Sequence, residues 1–245
     1  MTELITEVGR WWAQAWQRLQ PDLVPASAWP VAALVLAVVA AVVLAPPLWR
    51  GARVLVTVVH ELGHGLVGLL CGRRFTGLVL RGDMSGHAVT VGPSRGAGRA
   101  LTTWAGYPAP AVVGAAAVQL AAAGWAPPVL AVTALLLLGA LVRVRSIYTA
   151  AVMVALTAVT AALWWWGSGV AQASVVLGMG AFLLVGSWRH LGAVVRHSSP
   201  ASDPAVLAQL TRVPRWCWHL TFVVVLAAAN WWALAPVLEL GGLGR

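Results

Sequence analysis

The sequence has no lysine, and charged residues of any kind are scarce. Only 9% of its 245 residues are charged, whereas 60% are hydrophobic, and the mean hydropathy is +0.82. So apolar a composition excludes intrinsic disorder, and it supplies more nonpolar side chains than one water-soluble core could bury. The composition therefore indicates an integral membrane protein.

Acidic residues are also few, so the chain is strongly basic: seven acids stand against 16 arginines, and the formal net charge is +9. In a soluble protein this balance would suggest nucleic-acid binding. Here the arginines stand at the ends of apolar blocks, where positive charge sets membrane topology and meets anionic lipid headgroups. We therefore expect the lipid bilayer, and no nucleic acid, as a partner. The two cysteines, Cys71 and Cys217, form no CxxC pair and give no support to a disulfide framework.

The apolar residues are grouped in blocks close to the roughly 20 residues that a membrane helix needs. Most of the 15 tryptophans stand at block ends, which is the aromatic-belt pattern of membrane helices. The sequence thus predicts an all-α integral membrane protein, a single domain over residues 1–245, with about seven transmembrane helices. The seven blocks are approximately 29–49, 54–71, 100–125, 129–142, 147–166, 170–188 and 216–238.

Three further segments have their own patterns. Residues 1–20 carry apolar side chains at helical spacing between charged ones, which predicts an amphipathic helix lying on the membrane, although a soluble N-terminal helix is the alternative. Residues 75–91 alternate apolar and polar side chains around a glycine-rich turn, which predicts a membrane-associated β-hairpin. Residues 190–214 are predicted to form a cytoplasmic or re-entrant loop, in which Asp203 before Pro204 indicates the start of a short helix.

The distribution of arginines predicts the orientation of the chain. In a seven-crossing arrangement three arginines, Arg50, Arg53 and Arg245, fall on one side and thirteen on the other. The arginine-rich side is expected to be cytoplasmic, which places the N-terminus inside the cell and the C-terminus outside, in a multi-pass protein of the plasma membrane. The thirteen are Arg10, Arg18, Arg73, Arg74, Arg81, Arg95, Arg99, Arg143, Arg145, Arg189, Arg196, Arg212 and Arg215.

The block at 54–71 contains the sequence HELGH, residues 60–64. On a helix, residues four apart face the same way, so His60 and His64 can hold one Zn²⁺ from adjacent turns. Glu61 can then act as the general base toward an attacking water. Because buried ionisable groups in a membrane helix are costly unless they face a partner, a metal or water, we infer a functional centre. A polar helix-packing cluster or a proton relay is the alternative.

Two later segments extend this pattern. The helix with HELGH is followed by FTGLVLRGDMSGHAVTV and then by AGYPAP at residues 105–110. In this order the chain resembles the site-2 protease family of intramembrane zinc metalloproteases, in which the metal-binding helix precedes a membrane-associated β-hairpin and a helix with a Gly-Pro-rich motif. No PDZ insertion is visible, so the chain is similar to a short bacterial branch. The resemblance implies a zinc endopeptidase that cleaves a membrane-embedded segment of another protein.

The family's third zinc ligand is an aspartate from a later membrane segment, usually in a Leu-Asp-Gly motif that this sequence lacks. Asp203 is our candidate, because short members of the family are similar in having Ser-Asp late in the chain. Asp203 could instead cap the helix that begins there. Asp83 and His87 on the hairpin are the reserve candidates. His190, His197 and His219 have no ligand spacing and receive no role.

Two other functions remain open from the sequence. One is a non-catalytic metal-binding membrane protein or an ion transporter that uses His60, Glu61 and His64 to bind or pass an ion. The other is an inactive scaffold, which the intact HELGH motif disfavours. The substrate, the cleavage position and the oligomeric state have no signature in the sequence.

Overall fold

The computed structural model describes residues 1–22, 29–197 and 199–240. The described chain is mostly helical, with one two-stranded sheet. In chain order the elements are α1 (Thr2–Gln17), α2 (Trp29–Leu44), α3 (Pro46–Leu70), β1 (Arg74–Leu80), β2 (Gly86–Val91), α4 (Ala97–Trp104), α5 (Pro108–Ala122), α6 (Ala126–Leu141), α7 (Ile147–Trp166), α8 (Gly169–Arg196), α9 (Asp203–Thr211) and α10 (Arg215–Leu240).

The seven predicted apolar blocks are largely helical, but blocks 29–49 and 100–125 are each divided between two helices, and α8 runs on to Arg196 into the predicted loop 190–214. Helices α3, α7 and α8, and residues Arg215–Pro236 of α10, are long and apolar enough to cross a bilayer. Helices α4 and α5 pass the same test together, although the chain bends by 59° between them, while α2 and α6 are apolar but shorter. The described residues therefore contain four candidate spans, or five if the bent pair is one span. The count of seven crossings stays a prediction.

The predicted hairpin is formed by β1 and β2, which pair antiparallel with Arg74 opposite Val91 and Leu80 opposite Gly86. The outer edge of β1 is also covered, because Leu78 forms a parallel bridge with Val144 in the connection between α6 and α7. Strand β2, in contrast, has no strand partner other than β1 among the described residues. One edge of the hairpin is thus open to a further strand.

The largest buried core joins α5, α6, α8 and α10, and it also takes Leu207 from α9. Helices α5 and α8 approach most closely at Gly114 and Gly180, where a Cβ on either residue would lie 2.7 Å from the carbonyl oxygen of the other. Small residues at a helix contact let two membrane helices pack backbone to backbone. This contact sets α8 beside α5, and α8 and the Gly106–Tyr107 segment just before α5 both border the candidate site.

The N-terminal helix lies at the end of the molecule opposite to Arg143 and Arg145. Arg18 exchanges hydrogen bonds with Trp164, since its Nη1 donates to the Trp164 carbonyl at 3.4 Å and the Trp164 Nε1 donates back at 3.1 Å. Trp164 stands near the C-terminal end of α7, a helix of 20 residues and about 30 Å, whereas both later arginines precede its first residue. Arg18 thus lies at the end of α7 opposite to Arg143 and Arg145, whereas the charge count predicts one side for all of them; the orientation in the membrane stays a prediction.

The reason for this difference is aromatic packing, which the charge count ignores. Trp11 stacks on Trp165 with ring centroids 5.2 Å apart, and the Arg18 guanidinium lies 5.3 Å from the centre of the same ring. Contacts of this kind draw α1 to the tryptophan-rich end of α7. The Trp232 region of α10 lies on that side as well, because Gln119 near the end of α5 donates to the Trp232 carbonyl, and the Asp22 amide after α1 donates to the nearby Gly124 carbonyl at 2.7 Å.

We expect residues near the end of α1 to be accessible from the same membrane side as the connection between α5 and α6. In a cysteine-free background, an impermeant maleimide applied to intact cells should modify Gln20→Cys and Ala123→Cys but spare Ser199→Cys, because the arginine-rich side is expected to be cytoplasmic. Labelling after cell lysis serves as the control for reactivity. Protection of Gln20→Cys together with Ser199→Cys would show that α1 lies on the other side.

Candidate metal centre

The HELGH residues lie on the buried face of α3. His60, Glu61 and His64 have only 6%, 6% and 9% of their surface exposed. The helix begins with Pro46 and Pro47 in its first turn and continues beyond the motif to Leu70, so the two histidines stand on consecutive turns. Their Nε2 atoms are 3.1 Å apart. The spacing in the sequence thus brings two imidazole nitrogens to one point.

Asp203 comes to the same point from the far end of the sequence. Its Oδ2 lies 3.2 Å from Nε2 of His60 and 3.3 Å from Nε2 of His64. These ligand atoms all lie within 4.8 Å of one another and could hold a metal ion. Burial by itself would raise the pKa of Asp203, but the imidazoles of His64 and His60 hold that pKa below its usual range.

The orientation of the Asp203 side chain is set by helix α9. Asp203 is the first residue of α9 and Pro204 follows it, while the N-cap position belongs to Ser202. The alternative role for Asp203, as the residue that caps this helix, is therefore not what the structure shows. Leu207 and Ala205 on the same short helix are fully buried. This packing orients α9 so that its first side chain points at the histidines.

The second nitrogen of His64 has a hydrogen-bond partner. Nδ1 of His64 lies 2.7 Å from the carbonyl oxygen of Thr102 in α4. A carbonyl oxygen can only accept, so Nδ1 carries a proton and donates it, and in the neutral ring Nε2 of His64 then keeps its lone pair. This tautomer is the one that a metal ligand requires.

Glu61 lies beneath the first residue of β2. A Cβ built on Gly86 would be 2.7 Å from Cγ and 2.8 Å from Oε1 of Glu61, so the absence of a side chain at Gly86 makes room for this carboxylate. One turn before Glu61, the Thr57 hydroxyl donates to the Met84 carbonyl at 2.8 Å. The turn of the hairpin thus rests on α3 beside the glutamate.

Gly106, in the AGYPAP segment, faces the two histidines. A Cβ at this position would lie 2.5 Å from Nε2 of His64 and 2.6 Å from Nε2 of His60. The space in front of the two nitrogens is therefore kept open by the lack of a side chain. The sequence pattern marks the segment as a whole but predicts no role for Gly106.

A cavity of about 450 Å³ opens in front of these groups. Its wall includes the three convergent side chains and Glu61, and β2 contributes a stretch of that wall. Because polar groups line it, the cavity can hold water next to the buried ionisable residues. The other polar or charged residues of its wall include Arg53, Asp83, His87, Arg99, Tyr107, Arg189 and His190.

The two reserve candidates lie on the wall but outside the convergent group. Asp83 accepts hydrogen bonds from the Ser85 amide at 3.0 Å and from the Ser85 hydroxyl at 2.7 Å, and these bonds lower the pKa of its carboxyl group. His87 is exposed and pairs with Val79 in the hairpin. Neither residue belongs to the group of three that could hold an ion among the described residues.

His190, which sequence reasoning left without a role, lies against His60. The two rings are stacked with centroids 4.8 Å apart and planes within 10° of parallel. No local spacing signals this contact, because the residues are 130 positions apart on α3 and α8. The one sequence signal for a role of His190 is that an ionisable imidazole stands near the end of a predicted membrane helix. His197 and His219 do not line the cavity.

Comparison with known proteins gives one result. The sequence model of the family described as "Peptidase M50B-like" matches residues 32–233, a range that includes HELGH, the hairpin, AGYPAP and Asp203. No curated protein and no solved structure matched the chain. Since the matched range covers most of the sequence, the chain belongs to the Peptidase M50B-like family of membrane-embedded metalloproteases, and so to the site-2 proteases.

Proposed function

We propose that this chain is a zinc-dependent intramembrane endopeptidase, with Zn²⁺ held by His60, His64 and Asp203 and with Glu61 as the general base. The observation that carries the proposal is the convergence of two imidazole nitrogens and one carboxylate oxygen, from α3 and α9, on one polar cavity. Membership of a metalloprotease family supports the same conclusion.

The three side chains fit a zinc ion in chemistry and spacing. A tetrahedral Zn²⁺ with bonds of about 2.0–2.1 Å holds its ligand atoms about 3.3 Å apart. The three separations here are 3.1, 3.2 and 3.3 Å. Three protein ligands leave a fourth position for water or substrate, as in catalytic zinc sites. When bound, the ion would polarise the scissile carbonyl and make a water more acidic.

The role of Glu61 follows from its place next to His60 and on the cavity wall. Its carboxylate takes a proton from the attacking water as the new carbon–oxygen bond forms at the scissile carbonyl. It then returns this proton to the leaving amine as the carbon–nitrogen bond breaks. Glu61 is thus regenerated as a carboxylate after each turnover.

The proposed substrate is a membrane-embedded segment of another protein. A helical segment must unwind before its peptide bonds can be attacked, because its backbone groups are already hydrogen-bonded to one another. Strand β2 lines the cavity and has a free edge in the described part of the chain. We infer that the unwound segment pairs with this edge, which satisfies its backbone groups at the site of cleavage.

Replacing Glu61 separates metal binding from catalysis. Glu61→Gln keeps the shape of the side chain but removes the base, so zinc content should stay near one per chain while cleavage falls by about 10²–10⁴-fold. His60→Ala and His64→Ala should instead lose zinc. The readouts are metal analysis of purified protein and cleavage of a membrane-protein substrate in vesicles. Full cleavage by Glu61→Gln would remove Glu61 from the role of base, whereas zinc-loaded wild-type protein that cleaves no membrane substrate would favour a metal-binding protein or transporter.

The role of Asp203 as a zinc ligand can be tested with a substitution at the adjacent Ser202 as the control. Asp203→Asn keeps a polar side chain at the start of α9 but is a poorer zinc ligand, so zinc should be lost. Ser202→Ala changes the N-cap residue, whose side chain makes no capping hydrogen bond, and should keep zinc with little change in thermal stability. An Asp203→Asn protein with full zinc occupancy would remove this residue from the site and return Asp83 and His87 to consideration.

Gly106 tests whether the space in front of the histidines is needed. Gly106→Ala introduces a methyl group 2.5 Å from Nε2 of His64 and 2.6 Å from Nε2 of His60, so the imidazoles must move and zinc affinity should fall by at least about 10-fold. Gly139→Ala in α6 is the matched control, because a Cβ there meets nothing within 4 Å. Competition with a chelator measures both affinities. Unchanged affinity in Gly106→Ala would place the ion elsewhere.

A further inference from the structure

The two histidines of the motif are held in place by different means. The ring of His64 is fixed by the hydrogen bond from its Nδ1 to the Thr102 carbonyl. The corresponding atom of His60 is buried and has no hydrogen-bond partner among the described residues. Metal-ligating histidines almost always donate this second N–H, because that bond fixes the orientation of the ring. Another contact must therefore orient His60.

Aromatic rings surround His60 where that hydrogen bond is missing. The His190 ring is stacked on one face of His60. Tyr107 stands at right angles to both rings, with its centroid 4.9 Å from that of His60 and 5.3 Å from that of His190. Stacked and edge-to-face pairs at these distances restrict the rotation of a ring.

The position of His190 is set by its own helix. The neighbouring Arg189 places its guanidinium 4.4 Å from the centre of the Trp49 ring in α3 and donates a hydrogen bond to the Val43 carbonyl in α2. Helix α8 also approaches α3 closely at Gly186, where a Cβ would be 2.6 Å from Val56. These contacts hold the end of α8 against α2 and α3, so the His190 ring is in place without an ion.

The stacking of the His190 and His60 rings also argues against His190 as a fourth metal ligand. The lone pairs of an imidazole lie in the plane of its ring, and an ion bound to Nε2 of His60 lies in the His60 plane. Since the two planes are within 10° of parallel and the rings are stacked, the nitrogens of His190 point past such an ion. His190 is accordingly outside the group of three convergent ligand atoms.

We propose that His190 is a positioning residue that orients His60 for metal binding by ring stacking, in place of the missing hydrogen bond. The inference rests on the proposed metal site. It requires a flat ring at position 190 and does not require a nitrogen atom there. Phenylalanine should therefore substitute for this histidine, although phenylalanine cannot bind a metal or donate a hydrogen bond.

The experiment measures zinc affinity by chelator competition on the purified full-length protein. His190→Ala and His190→Leu remove the ring, and both should bind zinc about 10–100-fold more weakly, as expected for loss of a group that orients a ligand. His190→Leu keeps an apolar side chain if the alanine variant does not fold. His190→Phe should keep wild-type affinity. His197→Ala, which removes an exposed imidazole at the end of the same helix, is the control.

The visible absorption of the Co²⁺-substituted protein adds a readout of the ligand set. His190→Phe should leave this spectrum unchanged, because His190 is not a ligand. Weak binding by His190→Phe, or a changed spectrum, would overturn the proposal, since the nitrogen would then matter. Wild-type affinity in His190→Leu would overturn it as well. Failure of the metal site itself is distinguishable, because His60→Ala would then keep zinc.

Discussion

Burial of ionisable side chains in an apolar helix is the constraint on which the rest of this structure depends. A charged group in the membrane costs roughly several kcal/mol unless it has a partner or water. His60, Glu61 and His64 are all buried on α3, in a chain of which only 9% is charged. Asp203, the Thr102 carbonyl and the polar cavity supply what these groups need. The elements around α3 are therefore arranged to bring polar groups to it.

Close approach to α3 is made possible by its glycines. A side chain at Gly63 would clash with Ala109, and a Cβ at Gly68 would lie 3.1 Å from Thr90 of the hairpin. The missing side chains let α5 and β2 pack directly on the helix. The same feature recurs at Gly86 and Gly106, where the absent side chain gives space to Glu61 and to the imidazoles. Glycines therefore occur both where other elements pack closely on α3 and where the buried polar side chains need space.

The apolar core and the hairpin differ in their relation to the site: the core packs the helices together, whereas the hairpin borders the cavity. Helices α5, α8 and α10 share a tightly packed apolar core, which fixes Tyr107 and the end of α8. In the hairpin, β1 forms a bridge through Leu78 to Val144, while β2 lines the cavity. Among the described residues β2 has no second strand partner, which is the feature that the proposed pairing with an extended substrate uses.

From its composition and from spacing within one helix or strand, the sequence predicts the membrane class, the hairpin at 75–91 and the placement of His60, Glu61 and His64. It named Asp203 only through a family resemblance. Packing between distant elements sets three further features: the position of α1 beside the end of α7, the orientation of Asp203, and the contact between His190 and His60. Each joins residues more than a hundred positions apart through packing, and local periodicity carries no information about which distant helices meet.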